Sequence, residues 1–263
     1  MATSPLLTLL TDFGLQDIYV GVMKGVIAQI APAVRVIDLT HQIPPHNVAA
    51  ARFNLMAAYS YFPTGTVHVA VVDPGVGGGR RAIALQLIDG FLIGPDNGLF
   101  PDLLEQHPIL KAVELTNRAY WRTPNPSHTF HGRDIFAPVG AHLANGVAIE
   151  ELGVAIEPDS LVCLPLGEWS QKDGIITGCI QYIDHFGNLV TNVPGKVVQG
   201  KQWSARFGRT MVPGSRSYSD CEIGSLLALV GSHGWIEIAV NSGSAWSKLR
   251  MNWGDPVQVM LKD

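Results

Sequence analysis

Through the first part of the chain, short apolar runs alternate with longer stretches in which apolar side chains recur every three or four residues. That is the pattern of strands alternating with helices in an at least partly parallel sheet. Residues 6–10 predict the first strand. Tyr19, Val22, Val26 and Ile30 then mark one face of a helix that Pro32 ends. Residues 34–39 predict a second strand, 48–61 a largely buried helix bounded by Pro63, and 67–72 a third strand, apolar except for His68. Further strands are expected at 82–87, 91–93 and 112–115, and helices near 102–106 and 134–145.

Beyond Pro165 the texture changes. Residues 167–174 are polar and turn-rich, and later apolar runs are short, β-branched and closed by Gly, Pro or Asn. Strands are expected at 175–182, 189–193, 225–230, 235–240 and 257–261, the spacing of a small all-β barrel or sandwich. The expected layout is an α/β domain over 1–166 with a central, mostly parallel sheet, a linker over 167–174 and a smaller β-barrel domain over 175–263.

Composition narrows the function classes. With 263 residues, 47% hydrophobic and 15% charged, the chain can bury a substantial core. A formal net charge of −4 and the absence of a basic run leave no electrostatic footprint for nucleic acid or an anionic membrane, so small molecules or copies of the chain are the expected partners. Three widely spaced cysteines, Cys163, Cys179 and Cys221, suggest neither a disulfide framework nor a zinc site, and a reducing cytoplasm fits them. No positive stretch of a signal peptide and no membrane-length apolar run is read at the start.

In a parallel α/β sheet, ligands gather at the carboxyl ends of strands, so polar residues just past an apolar run are the candidates. Asp12 and Asp17 follow the first strand in TDFGLQD; one of them could cap the next helix, while Asp12 has the geometry to grip a vicinal diol such as a ribose. Asp96 and Asn97 in GPDNG read as a tight turn. In VVDPGVGGGRR, residues 71–81, the glycines match neither phosphate-loop pattern, which leaves an acid, Asp73, and two guanidinium groups, Arg80 and Arg81. They form either a structural salt bridge or a catalytic group. HTFHGRD offers His131 as a proton carrier, but His128 and His131 lack a third ligand at metal-site spacing, so no metal is expected.

The motifs TDFGLQD, VVDPGVGGGRR, GPDNG, TFHGRD and IDHFGNLVTN, in this order, resemble the family of S-adenosyl-L-methionine hydroxide adenosyltransferases. That family is similar in fold to the enzymes that attack the same substrate with fluoride or chloride. The resemblance covers nearly the whole chain. It implies displacement by water at the ribose 5′ carbon, giving adenosine and L-methionine, with no cofactor, in a homotrimer whose sites lie between subunits. It assigns Asp73, Arg80 and His131 to water activation and Asp12 to the ribose. Asp17 and Asp184 fall at the methionine end, Asn188 at the adenine, and Tyr218 near the nucleoside. Ser232 and Ser242 fall at the methionine and adenine ends.

Two departures from the halogenating relatives stand out. His233 occupies the place of an arginine for the substrate carboxylate, and Asp73, Val76 and Gly132 replace Tyr, Thr and Ser around the halide. A carboxylate there repels halide and favours water. A sulfonium leaves without a proton donor, so the chemistry asked of the protein is to place water in line and take its proton. An arginine beside a carboxylate weakens it as a base, which makes His131 the expected proton acceptor. A halogenase and a non-catalytic S-adenosyl-L-methionine or adenosine-binding protein stay open as alternatives.

Overall fold

The computed structural model describes residues 5–104, 107–165 and 167–262. The expected domain limits at residues 1, 166 and 263, and the end of the helix expected over 102–106, lie outside the described residues. Backbone contacts divide the chain into one compact unit ending at Leu164 and another beginning at Pro165.

The first unit is the expected α/β domain. Its elements are β1 (Leu6–Thr11), α1 (Tyr19–Ile30), β2 (Arg35–Thr40), α2 (Val48–Tyr59), β3 (Thr66–Val71), β4 (Ala82–Leu87), β5 (Gly90–Pro95), α3 (Pro101–Leu104), β6 (Ile109–Glu114), α4 (Ala137–Ala144) and β7 (Val154–Ala155). The sheet order is β2-β1-β3-β5-β4-β6-β7. The first four strands are parallel; β4, β6 and β7 extend the sheet antiparallel. β1 and β3 are buried at every position, as central strands covered on both faces must be, and they read in sequence as continuous apolar runs. Leu7, Leu9, Val69, Ile93, Phe136 and Val139 form part of the core.

The chain leaves β1 to one side for β2 and returns to the other side for β3, so β1 and β3 flank a topological switch point. Thr11 pairs with Val71 at their carboxyl ends. That register sets Asp12 and Asp73 side by side above the sheet.

The expected stripe on α1 is shifted. Val20, Met23, Val26 and Ile27 are buried, whereas Tyr19 is 45% exposed. Tyr19 instead packs on Phe13 and Phe130, with ring centroids 5.9 and 5.2 Å away. α2 starts at Asn47, whose side chain accepts the Ala50 N–H at 2.9 Å. α4 is preceded by a π-helical turn, Gly132–Phe136, a form that recurs at functional sites.

The second unit is the expected smaller all-β domain. It contains β8 (Ser170–Lys172), β9 (Ile175–Ile183), β10 (Leu189–Pro194), β11 (Gln202–Phe207), β12 (Thr210–Pro213), β13 (Leu226–Val230), β14 (Trp235–Val240), the short helix α5 (Ala245–Leu249) and β15 (Pro256–Lys262). The strand pairs are antiparallel in the order β12-β11-β15-β9-β10-β14-β13, and a bridge between Gly214 and Ala228 brings the two ends of that path together. β9 turns the corner, pairing with β15 through Cys179 and with β10 from Ile180 onward. Inside the stretch expected as a linker, β8 hairpins onto β9. Among the described residues, no helix is long and apolar enough to cross a membrane.

One buried group makes the first unit sensitive to acid. His68 on β3 is 1% exposed, with Nδ1 2.8 Å from Thr8 Oγ1, and burial pushes its imidazole from 6.5 down to about 4. A depressed histidine binds protons more readily unfolded than folded, so its contribution is complete above about 6.5 and is lost as pH falls toward 4. Integrated over that window the loss amounts to at most about 3 kcal/mol. Urea unfolding across the window should show the slope in the native chain, and His68→Gln should flatten it.

Candidate active site

The glycine loop after β3 folds back so that Arg80 meets Asp73. Arg80 Nε lies 3.0 Å from both Asp73 oxygens, and Nη2 donates to Oδ2 at 2.5 Å. The pair is largely sheltered, with side-chain exposures of 11% and 5%. Arg80 also stacks over the Phe136 ring at 5.3 Å. Gly77 makes the fold-back feasible: it sits at φ +75°, and a Cβ there would come within 2.2 Å of the His128 carbonyl oxygen. The glycine loop and the His128–His131 segment are thus in direct backbone contact.

The same Arg80 Nη2 lies 2.6 Å from His131 Nδ1. A guanidinium can only donate, so Nδ1 is the acceptor and the neutral ring carries its proton on Nε2. Burial and the Arg80 charge hold His131 below the ordinary imidazole range, against the opposing pull of Asp73 and Asp134. This arrangement bears on the expectation that His131 accepts a proton: its one basic lone pair already faces Arg80. Below it, burial pushes Asp134 up, but Arg133, Arg122 and the Ser127 N–H outweigh it and hold the carboxyl well below its usual range. That buried carboxylate pins the segment leading into α4.

Asp73, His131 and Asp12 line one cavity of about 300 Å³, with Phe13, Tyr19, Pro45, His46, Val71, Val76, Thr129, Phe130 and Gly132 around it. The volume is at the lower end for small-molecule sites. Its walls are aromatic and aliphatic, and its acids stand at one end of the sheet. Asp12 Oδ2 accepts the His46 N–H at 2.8 Å, and His46 holds a left-handed backbone at φ 66°. That bond leaves Oδ1 of Asp12 for a ligand hydroxyl.

Other expected residues have different surroundings. Asp17 is exposed, is absent from this cavity wall and makes no cap bond, because Ile18 occupies the cap position of α1. Arg81 binds Asp96 Oδ2 at 2.6 and 2.8 Å and reaches Ser160, while Asp96 Oδ1 takes the Val162 N–H. That pair is structural and ties the 158–162 segment down.

In the second unit, both oxygens of Asp184 take Asn188, the backbone N–H at 2.8 Å and Nδ2 at 2.9 Å. Tyr218 donates to Glu237, His233 meets the same carboxylate at 2.9 Å, and Ser232 is exposed beside it. Ser242 is exposed in a left-handed turn, φ 57°. Among the described residues, no group of three or more His, Cys, Asp or Glu side chains is placed to hold a metal ion.

Sequence reading missed Phe13, Tyr19, Phe130 and His46 as cavity walls. Phe13 and Phe130 lie inside two of the quoted motifs, so their place was available there. Tyr19 was absorbed into a helix face, and His46 carries no sequence signal, since only the folded loop brings its N–H to Asp12.

Two family models match the chain: SAM hydroxide adenosyltransferase N-terminal domain over residues 7–153, and the corresponding C-terminal domain over 178–258. The chain belongs to the SAM hydroxide adenosyltransferase family. A Salinispora tropica protein named (R)-S-adenosyl-L-methionine hydrolase is 42% identical over 98% of this chain and 99% of its own length. An Actinoplanes fluorinase is more distant, at 28% identity over 91% of this chain and 92% of its own. Among solved structures, an uncharacterized conserved protein from Thermotoga maritima superposes with a TM-score of 0.90 at 36% identity, covering 97% of this chain and 99% of its own. Within the family, the Asp73–Arg80–His131 network and the cavity beside Asp12 are this member's own candidate machinery.

Proposed function

We propose that the protein hydrolyses S-adenosyl-L-methionine, with water displacing methionine at the ribose 5′ carbon to release adenosine and L-methionine. The observation that carries this reading is the sheltered Asp73–Arg80–His131 network opening onto the same cavity as Asp12. The name of the Salinispora relative supports the substrate and adds the (R) configuration at sulfur. Asp12 holds the ribose hydroxyls, and the aromatic walls exclude competing solvent.

Asp73 is the proton acceptor in this proposal. Its Oδ1 accepts from Arg80 Nε alone and keeps a lone pair, whereas Oδ2 takes both Nε and Nη2 and the basic nitrogen of His131 is occupied. The attacking water forms the new C–O bond as the C–S pair returns to sulfur, and its surplus proton passes to Asp73 and on to solvent. His131 Nε2–H orients the water or the nascent hydroxyl. Asn188 and Ser242 serve the adenine end, and Tyr218 packs near the nucleoside. Asp17, Asp184 and Ser232 serve the methionine end.

Incubation with S-adenosyl-L-methionine, with and without chloride or fluoride, tests the proposal. Adenosine and L-methionine are expected in both cases; a halogenated nucleoside would favour the halogenase reading, and unchanged ligand a binding protein.

The proposal includes a homotrimer in the cytoplasm. Leu15 and Ile18 before α1 and Phe186, Ile223 and Trp246 in the second unit are large apolar side chains exposed on the single chain, as surfaces covered by assembly are. Cys163, Cys179 and Cys221 form no disulfide with one another, which suits a reducing compartment. Light scattering should return three times the 28.3 kDa chain mass.

A further inference from the structure

The motif GPDNG, residues 94–98, lines no part of the cavity at Asp73, but it stands where the loop carrying Asp73 and Arg80 begins and ends. In the sheet β5 lies between β3 and β4, and the loop leaves β3 and returns along β4. The residues that follow β5 therefore sit between the two stems of the loop. Consecutive side chains take one stem each. Asn97 Nδ2 donates to the Val72 carbonyl at 2.9 Å, one residue before Asp73. Asp96 Oδ2 accepts Arg81 Nε and Nη2 at 2.8 and 2.6 Å, one residue after Arg80, and the Asp96 N–H donates to the Arg81 carbonyl at 3.0 Å.

The turn itself is held from outside the loop. Asp96 Oδ1 accepts the Val162 N–H at 2.9 Å, and Gly98, at φ +92°, packs so closely that a Cβ there would come within 2.5 Å of Leu164 Cγ. Val72 is buried but lies one residue past the end of β3, and the Asn97 amide supplies a donor to its carbonyl there. Asn97 Oδ1, by contrast, is buried and takes no donor among the described residues. A buried unpaired acceptor costs stability, so the amide as a whole adds little to the fold. What its Nδ2 secures is the main chain that carries Asp73.

We propose that Asn97 is a positioning residue for the hydrolytic reaction: through the Val72 carbonyl it sets where the Asp73 carboxylate stands against Arg80 and the attacking water. Among the described residues, Arg80 is the side chain that binds Asp73. Arg80 follows the other stem, which the Arg81–Asp96 pair keeps in place. Loss of the Asn97 bond therefore frees the Asp73 side of the pair alone. This rests on the reading of Asp73 as the proton acceptor in S-adenosyl-L-methionine hydrolysis.

Steady-state kinetics with S-adenosyl-L-methionine, together with urea unfolding, of the native chain, Asn97→Leu, Asn97→Asp and Asn54→Ala test the proposal. Leucine keeps the branched shape of the amide without a donor, and aspartate sets an acceptor against the Val72 carbonyl. Both should lower kcat by roughly tenfold to a hundredfold with KM within about threefold of the native value. Asn54 Nδ2 donates to the Ala50 carbonyl at 2.8 Å within α2, away from the cavity wall. Asn54→Ala loses the same kind of bond and should keep the native kcat, whereas a merely structural role would make kcat follow the unfolding midpoint alike in all three variants. Native kcat in Asn97→Leu would overturn the proposal. Activity lost in Asn97→Leu but kept in Asn97→Asp would overturn it too, by assigning the effect to volume, as would loss of the fold in both, by making Asn97 a residue of general stability. A native chain that leaves S-adenosyl-L-methionine unchanged would overturn the underlying hydrolytic reading, whereas hydrolysis by the native chain beside fully active Asn97 variants overturns only the role of Asn97.

Discussion

Asp73→Asn is expected to lower kcat roughly a thousandfold while changing KM by less than about threefold, the signature of an interaction made in the transition state. Asparagine keeps the shape of the side chain and removes its charge and one acceptor, so Arg80 loses its counter-ion and the water loses its base. The proposed ribose contact at Asp12 is untouched, which is why KM is expected to be spared. His131→Ala should also lower kcat with little effect on KM, by a smaller factor of about tenfold to a hundredfold, because it orients rather than accepts. Single-turnover kinetics separates these effects from product release. The pH profile carries the same logic: with His131 held below the ordinary imidazole range, activity should be level above about 6.5 and fall only at lower pH, where a protonated ring can no longer accept from Arg80. A profile rising tenfold per pH unit through neutrality would instead indicate free hydroxide as the nucleophile.

Gly77→Ala is the second large effect, and it acts without touching a polar group. Alanine at φ +75° costs about 1–2 kcal/mol in backbone strain. Its Cβ would also meet the His128 carbonyl oxygen at 2.2 Å, far inside any tolerated contact, and the obstacle is backbone that cannot rotate aside. The loop and the 128–131 segment must separate. Since a misplacement of about 1 Å costs on the order of a hundredfold in rate, kcat should fall by at least that factor. Thermal unfolding should report a loss of about 2–4 kcal/mol from strain and overpacking together. Gly79→Ala is the control, because a Cβ there meets nothing within 4 Å.

Much of this architecture was legible because burial on both faces leaves a plain mark. β1 and β3 are nearly unbroken apolar runs, and the acids that follow them, Asp12 and Asp73, come together through parallel register. β11 and β12 were not legible. β11 alternates buried Ser204, Ala205 and Phe207 with exposed Gln202 and Arg206, too polar a face to stand out as a run. The α1 stripe was misread because Tyr19 and Val22 fit helical spacing, while Tyr19 is claimed by the Phe13 and Phe130 rings.

The site was legible in its residue types and not in its protonation. Spacing offered Asp73, Arg80 and Arg81 as one group; only the folded loop sends Arg80 to Asp73 and Arg81 to Asp96. Likewise, His131 looks like a base in sequence, and becomes a donor once Arg80 faces its Nδ1. Glu237 gave no motif at all, because only the folded chain sets its carboxylate against Tyr218 and His233.

The most direct measurement of water attack at the 5′ carbon is turnover of S-adenosyl-L-methionine in oxygen-18 water, followed by mass analysis of both products. The label should appear in the 5′ hydroxyl of adenosine, with L-methionine unlabelled and a halogenated nucleoside absent even in excess chloride or fluoride. Adenosine without the label, or a 5′-halogenated nucleoside in its place, would contradict the account.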